Sequence, residues 1–188
     1  MKIVIDTNIL ISTLMSSDGI VGTFLLKDLR EIEKHSCYYL YIEIFDKKDK
    51  IIKYSGLSEA EVLELLYLVL KKVQFINENQ ISEQSWGKAK DLTEDIDVKD
   101  VSFVALTIEM GAKLWTGDKK LYKGLRKKGF MDVVSLEDLK EILKNKIKPW
   151  QCTTLCVSPM PPKRRPAAMQ TDVANSPDRA IKNSLKKT

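Results

Sequence analysis

Apolar residues along this chain follow two alternating periods. Short β-branched or aromatic runs at Lys2 to Asp6, Ser36 to Leu40, Val73 to Ile76, Lys113 to Thr116 and Asp132 to Val134 have the length and composition of strands. Between them the apolar positions spread to helical spacing, predicting helices over 8–15, 20–30, 41–53, 58–72, 82–94, 99–110 and 119–128, and a last one after Ser135.

The punctuation agrees with this reading. Asp18-Gly19 interrupts the first helical stretch, and Gly111 and Gly129 close two later ones. Ser58-Glu59-Ala60-Glu61 has the form of a capping box, in which the Ser58 hydroxyl bonds the Glu61 amide while Glu61 reaches back. Ser82 and Ser135 are placed to cap the helices that follow them. The stretch from Lys99 to Met110 is apolar almost all round (Val101, Phe103, Val104, Ala105, Leu106, Ile108), as a helix buried between a sheet and a second layer must be. Strands separated by helices predict an α/β fold, a three-layer sandwich with a central parallel sheet, whose ligands gather at the carboxyl ends of the strands.

Four acids fall at that edge. Asp6 ends the first strand, and Asp118 follows the fourth through a single glycine. Asp100 opens the buried helix, and Glu43 lies in the first turn of the helix after the second strand. Asp6 and Asp118 also have a local role open to them as helix cap and turn residue, and Asp95 and Asp97 compete with Asp100. Converging carboxylates repel and raise one another's pKa unless a cation joins them. Hard oxygen donors suit Mg²⁺ or Mn²⁺, which polarise phosphodiesters and activate water. Metal-dependent phosphodiester hydrolysis is the chemistry such a set implies.

Charge changes the picture only through its distribution. The chain of 188 residues carries 31 basic and 26 acidic side chains, a formal +5. Seven of the basic and two of the acidic residues lie beyond 148, so residues 1–148 hold 24 of each and are neutral. The prolines all lie in the segment 149–188, which is poor in apolar residues and is expected to be a disordered basic tail beside a nuclease domain spanning 1–148. Within the domain, Lys119, Lys120, Lys123, Arg126, Lys127 and Lys128 make one helix basic beside Asp118. Lys119 and Lys120, at its start, are candidates to hold substrate phosphates. Apolar runs such as Leu65–Leu70 fall far short of the roughly 20 residues that span a bilayer. Three cysteines are too few for a disulfide scaffold and fit a reducing cytoplasm. His35, the only histidine, excludes a mechanism built on paired histidines.

Three blocks carry a family resemblance: Ile5-Asp6-Thr7-Asn8-Ile9-Leu10, Asp97-Val98-Lys99-Asp100 leading into the apolar helix, and Trp115-Thr116-Gly117-Asp118-Lys119-Lys120-Leu121. In order and spacing they resemble the signature blocks of PIN-domain nucleases, over about residues 1 to 145. The resemblance implies a PIN-like fold and a single-strand-directed endoribonuclease dependent on Mg²⁺ or Mn²⁺. The family includes the VapC-type toxins of toxin–antitoxin pairs. Carried over, Asp6, Asp100 and Asp118 match the metal-binding acids and Glu43 the acid after the second strand. Asn8 and Thr116 match the polar residues that orient the first and last acids, and Asp97 is a supporting acid. The partners implied are an RNA substrate, an antitoxin protein and a second copy of the chain. The competing reading is a catalytically inactive PIN-like RNA-binding module, which missing acids would favour.

Overall fold

The computed structural model describes residues 1–146 apart from Asp28 and Arg30. The expectations for the segment 149–188 fall outside the described residues. The chain runs through β1 (Lys2–Ile5), α1 (Thr7–Met15), α2 (Ile20–Leu26), β2 (Glu33–Cys37), α3 (Tyr39–Asp46), α4 (Lys48–Ser55), α5 (Glu59–Leu70) and β3 (Gln74–Ile76). It continues through α6 (Glu83–Thr93), α7 (Val101–Met110), β4 (Lys113–Trp115), α8 (Lys119–Lys127), β5 (Val133–Val134) and α9 (Leu136–Lys146). The five strands form one all-parallel sheet in the order β3-β2-β1-β4-β5.

That order places the site. The chain steps outward from β1 to β2 and β3, then returns to the other side of β1 for β4 and β5. Right-handed crossovers therefore put the helices before and after the return on opposite faces. The reversal of strand order between β1 and β4 is a topological switch point, where the connections part and leave a crevice at the carboxyl ends. Ile5 is in register with Trp115 there, and the Asp6 amide continues the ladder by donating to the Trp115 carbonyl at 3.2 Å.

Packing follows the apolar pattern. The last three residues of β1, Ile3, Val4 and Ile5, are fully buried, as in strands covered on both faces. Helix α7 lies against β1, β2 and β4 with Phe103, Val104, Ala105 and Leu106 all buried. It ends at Gly111, whose φ of 56° is a left-handed conformation that a β-carbon disfavours. Gly124 lets α8 approach the loop before α7, since a β-carbon there would lie 2.5 Å from Ile96 Cδ1. The capping box at Ser58 forms with both of its bonds, and Ser135 and Asp138 exchange the same pair at the start of α9. None of the described helices is by itself long and apolar enough to cross a membrane.

Four elements differ from the sequence reading. The second strand is Glu33–Cys37 rather than Ser36 to Leu40, because the aromatic residues from Tyr39 enter a helix that buries Leu40 and Ile44 one turn apart. The long helix expected over 41–53 is two helices broken at Lys47, after which α4 turns Ile51 into the core against α1 and α5. The helix expected over 20–30 ends at Leu26, and the buried helix begins at Val101 after a 3₁₀ turn, Val98–Asp100.

Candidate active site

Asp6 follows the last residue of β1 and is 1% exposed. Its Oδ1 accepts the Asn8 backbone N–H at 2.9 Å, so it caps α1. Its Oδ2 accepts from Asn8 Nδ2 at 3.5 Å and from the Thr116 hydroxyl at 2.5 Å. Thr116, buried just past β4, in turn accepts the Asp118 backbone N–H at 2.9 Å. Asp118 caps α8, its Oδ1 accepting the amides of Lys120 (2.6 Å) and Leu121 (3.2 Å). The first and last acids are thus linked across the switch point through one hydroxyl.

Glu43 enters from α3. Its Oε2 accepts the hydroxyl of buried Thr7, the residue after Asp6, at 2.5 Å, and its Oε1 lies 3.5 Å from Lys47 Nζ. Asp100 is 7% exposed at the start of α7, and among the described residues no side chain or amide donates to its carboxylate. Asp97 sits one turn earlier, its Oδ1 accepting the Lys99 amide at 3.0 Å.

Electrostatics show that these groups share one field. Burial pushes the Asp100 carboxyl up to about 7, and the charges of Asp6, Asp97, Glu43 and Asp118 add to that effect. Asp6 is also raised, chiefly by burial, against the lowering effect of the Thr116 and Asn8 hydrogen bonds and with a further push from Glu43. As the side chains stand, no three carboxylate, imidazole or thiol groups among the described residues are grouped tightly enough to enclose an ion. His35 lies apart from this set, buried in β2 between Val4 and Gln74, with burial holding its imidazole below the usual pKa.

A cleft of about 490 Å³ opens beside Asp118, lined by Asn8, Ser12, Lys47, Lys50 and Lys119 among others. Lys120 is turned elsewhere, its Nζ donating to the Ile96 carbonyl at 2.6 Å. The sequence reading missed Thr7 and Lys47. Thr7 stands inside the Asp-Thr-Asn block and Lys47 is one helical turn past Glu43, but only the packing of α3 beside α1 reveals that both hold the same carboxylate.

Residues 4–155 match the family model of the PIN domain, well over half of the chain. The chain belongs to the PIN-domain family. A search of curated protein sequences gives no match for this PIN domain. Among solved structures it is similar to a chain in the crystal structure of VapBC2 from Rickettsia felis bound to a DNA fragment from their promoter. The TM-score is 0.52 at 14% identity, covering 72% of this chain and 97% of that one. A chain of VapBC-1 from nontypeable Haemophilus influenzae is similar with a TM-score of 0.49 and 18% identity, covering 68% of this chain and 94% of that one. At such identities the likeness is one of fold.

Proposed function

We propose that this PIN domain is a Mg²⁺- or Mn²⁺-dependent endoribonuclease acting on single-stranded RNA. The observation that carries this reading is the mutual charging of Asp6, Glu43, Asp100 and Asp118 at the switch point of the sheet. Such crowding of acids, of which Asp6 and Asp100 are buried, destabilises a fold without a counter-charge, and the donor set is all hard oxygen, which fits these two ions. Asp6, Glu43, Asp100 and Asp118 would hold the metal. When bound, it supplies the neutralising charge and the Lewis-acid polarisation of a phosphodiester.

The remaining work falls to the chain's own groups. Thr116 and Asn8 fix the carboxylate of Asp6, and the Asp118 carboxylate is held by the amides of α8. Thr7 and Lys47 hold Glu43, and Asp97 adds negative charge beside Asp100. Lys47, Lys50 and Lys119 border the cleft beside Asp118 and balance the phosphates of a strand passing the acids.

Incubation of the purified protein with single-stranded and duplex RNA, with Mg²⁺, with Mn²⁺ or with chelator, tests the proposal. Cleavage of the single strand in the metal lanes only, leaving 5′-phosphate and 3′-hydroxyl ends, is the expected result. Binding without cleavage in every lane would instead establish the inactive RNA-binding module.

The reading extends to a cytoplasmic toxin of a toxin–antitoxin pair. Its support is the resemblance in fold to a chain of the VapBC2 assembly from Rickettsia felis together with the exposed apolar residues Phe45 and Leu63, which line a cleft of about 280 Å³ between α3, α4 and α5. An antitoxin or a second copy of this chain would cover that face. Light scattering of the protein alone, and after co-expression with the product of a neighbouring small reading frame, separates the two.

A further inference from the structure

A second cleft, of about 450 Å³, shares no lining residue with the lysine-lined one. Its lining includes Lys99 and Val101, on either side of Asp100 in the chain, and Ile42, which precedes Glu43, so the cleft borders two of the backbone segments that carry the acids. The walls are aromatic and aliphatic: Tyr38, Tyr39, Trp86 and Val98. Tyr38 stacks on Phe75 with an interplanar angle of 8°, which fixes its ring while leaving the residue 46% exposed. Val98 is 65% exposed, so the mouth is apolar as well.

Among the described residues, two charged side chains line this cleft, Glu78 and Lys99. Glu78 is anchored, its Oε1 accepting the Tyr39 backbone N–H at 2.6 Å, so its carboxylate is held at the wall by the residue that begins α3. Lys99 is exposed and directly precedes Asp100.

We infer that this cleft is a base-binding subsite selective for guanine, seating the nucleotide next to the scissile phosphate. Unstacked bases of single-stranded RNA are recognised by aromatic walls and by hydrogen bonds to their Watson–Crick edges. Guanine presents two adjacent donors on that edge, N1–H and the N2 amino group, beside the acceptor O6. A carboxylate takes the donors and an ammonium takes O6. Adenine, cytosine and uracil do not offer two adjacent donors flanked by an acceptor, so each leaves part of the Glu78–Lys99 pair unmatched, and a site built to hydrogen-bond particular groups discriminates against a base that lacks them. The inference rests on the proposed single-strand nuclease reading for its substrate, but the subsite is defined by residues outside the acidic set.

The full-length Asp6→Asn protein, titrated with guanosine, adenosine, cytidine and uridine by tryptophan fluorescence, tests it directly. Guanosine quenches most strongly and binds at least about tenfold more tightly than the other three, and Trp86→Phe removes the quench. Glu78→Gln keeps an oxygen for the Tyr39 amide and so keeps the fold, yet weakens guanosine roughly tenfold or more while leaving the other nucleosides within a few-fold. Lys99→Met, at an exposed site that cannot disturb folding, weakens guanosine several-fold. Equal affinity for all four nucleosides, or unchanged guanosine affinity in both variants, overturns the proposal.

Cleavage-site mapping on randomised RNA separates this inference from the reading beneath it. Guanine enriched at one fixed position beside the cut, and flattened by Glu78→Gln, supports both. Selective guanosine binding without cleavage upholds the subsite and defeats the nuclease, whereas cleavage with no base preference does the reverse.

Discussion

The Thr116 hydroxyl donates to Asp6 Oδ2 across 110 positions of sequence and accepts the Asp118 amide, so one side chain ties together the carboxyl ends of β1 and β4. Thr116→Val keeps the shape and removes both bonds. A polarised carboxylate then loses a donor and a partly buried amide loses its acceptor, which costs about 1–3 kcal/mol. RNA cleavage is expected to fall roughly 10- to 100-fold, as for residues that orient metal-binding groups. Thr116→Ser retains the hydroxyl and most of the activity. Turnover and denaturant unfolding of the two variants check this, and wild-type turnover in Thr116→Val would contradict it.

Glu43 is held by two groups of unequal value. The Lys47 ion pair is an i,i+4 contact between partly solvated side chains and contributes about 0.3–0.5 kcal/mol, so Lys47→Ala leaves the melting temperature nearly unchanged. Thr7 is buried, and Thr7→Val frees Glu43 from the neighbour of Asp6. Turnover is expected to fall more in Thr7→Val than in Lys47→Ala at saturating metal. The KM for RNA should move more in Lys47→Ala, because Lys47 also borders the lysine-lined cleft.

The Asp100 carboxyl couples stability to pH. Its folded pKa is raised from 3.8 to about 7, so the folded state holds a proton that the unfolded state releases. As pH rises through that window the metal-free protein therefore loses stability. The loss is on the order of 2–4 kcal/mol once solvent screening is allowed for, complete above pH 7 and absent below about pH 4. Asp100→Asn should raise the melting temperature of metal-free protein at pH 8 and leave it little changed at pH 4. Saturating Mn²⁺ should raise that of the wild type more at pH 8 than at pH 5. Calorimetry across this range checks both the sign and the window.

Some of this was legible in the sequence and some was not, for physical reasons. Asp6 and Asp118 could be read because each is the last residue before a helix and ends or follows a parallel strand. The helix-cap role open to both acids is made: Asp6 Oδ1 accepts the Asn8 amide while its Oδ2 accepts the Thr116 hydroxyl, and Asp118 Oδ1 accepts the amides of Lys120 and Leu121. The Ser58, Ser82 and Ser135 caps are local and were equally readable. The second strand lies earlier than expected because Ser36 to Leu40 reads as a strand in composition, whereas from Tyr39 the chain enters a helix that buries Leu40 and Ile44 and sets Tyr39 against Phe103. The Thr7–Glu43 bond and the Tyr39–Glu78 bond join elements far apart in sequence, and no local pattern encodes them.

The capping box separates stability from activity. Ser58→Ala removes both the hydroxyl that accepts the Glu61 amide and the reciprocal geometry, destabilising the protein by about 1 kcal/mol. Helix α5 contributes none of the acids, so cleavage per folded molecule stays at the wild-type level. A drop in turnover without a drop in stability would show that α5 bears on the site.

The most direct test of the central claim is RNA cleavage by Asp6→Asn beside the wild type at saturating Mg²⁺ or Mn²⁺, with circular dichroism on the same samples. Asparagine keeps an oxygen for the Asn8 amide and so keeps the cap on α1, but removes the charge. Loss of cleavage by at least about a thousandfold with an unchanged fold is the predicted result. Full activity in Asp6→Asn, or wild-type cleavage that persists in chelator, would contradict the account.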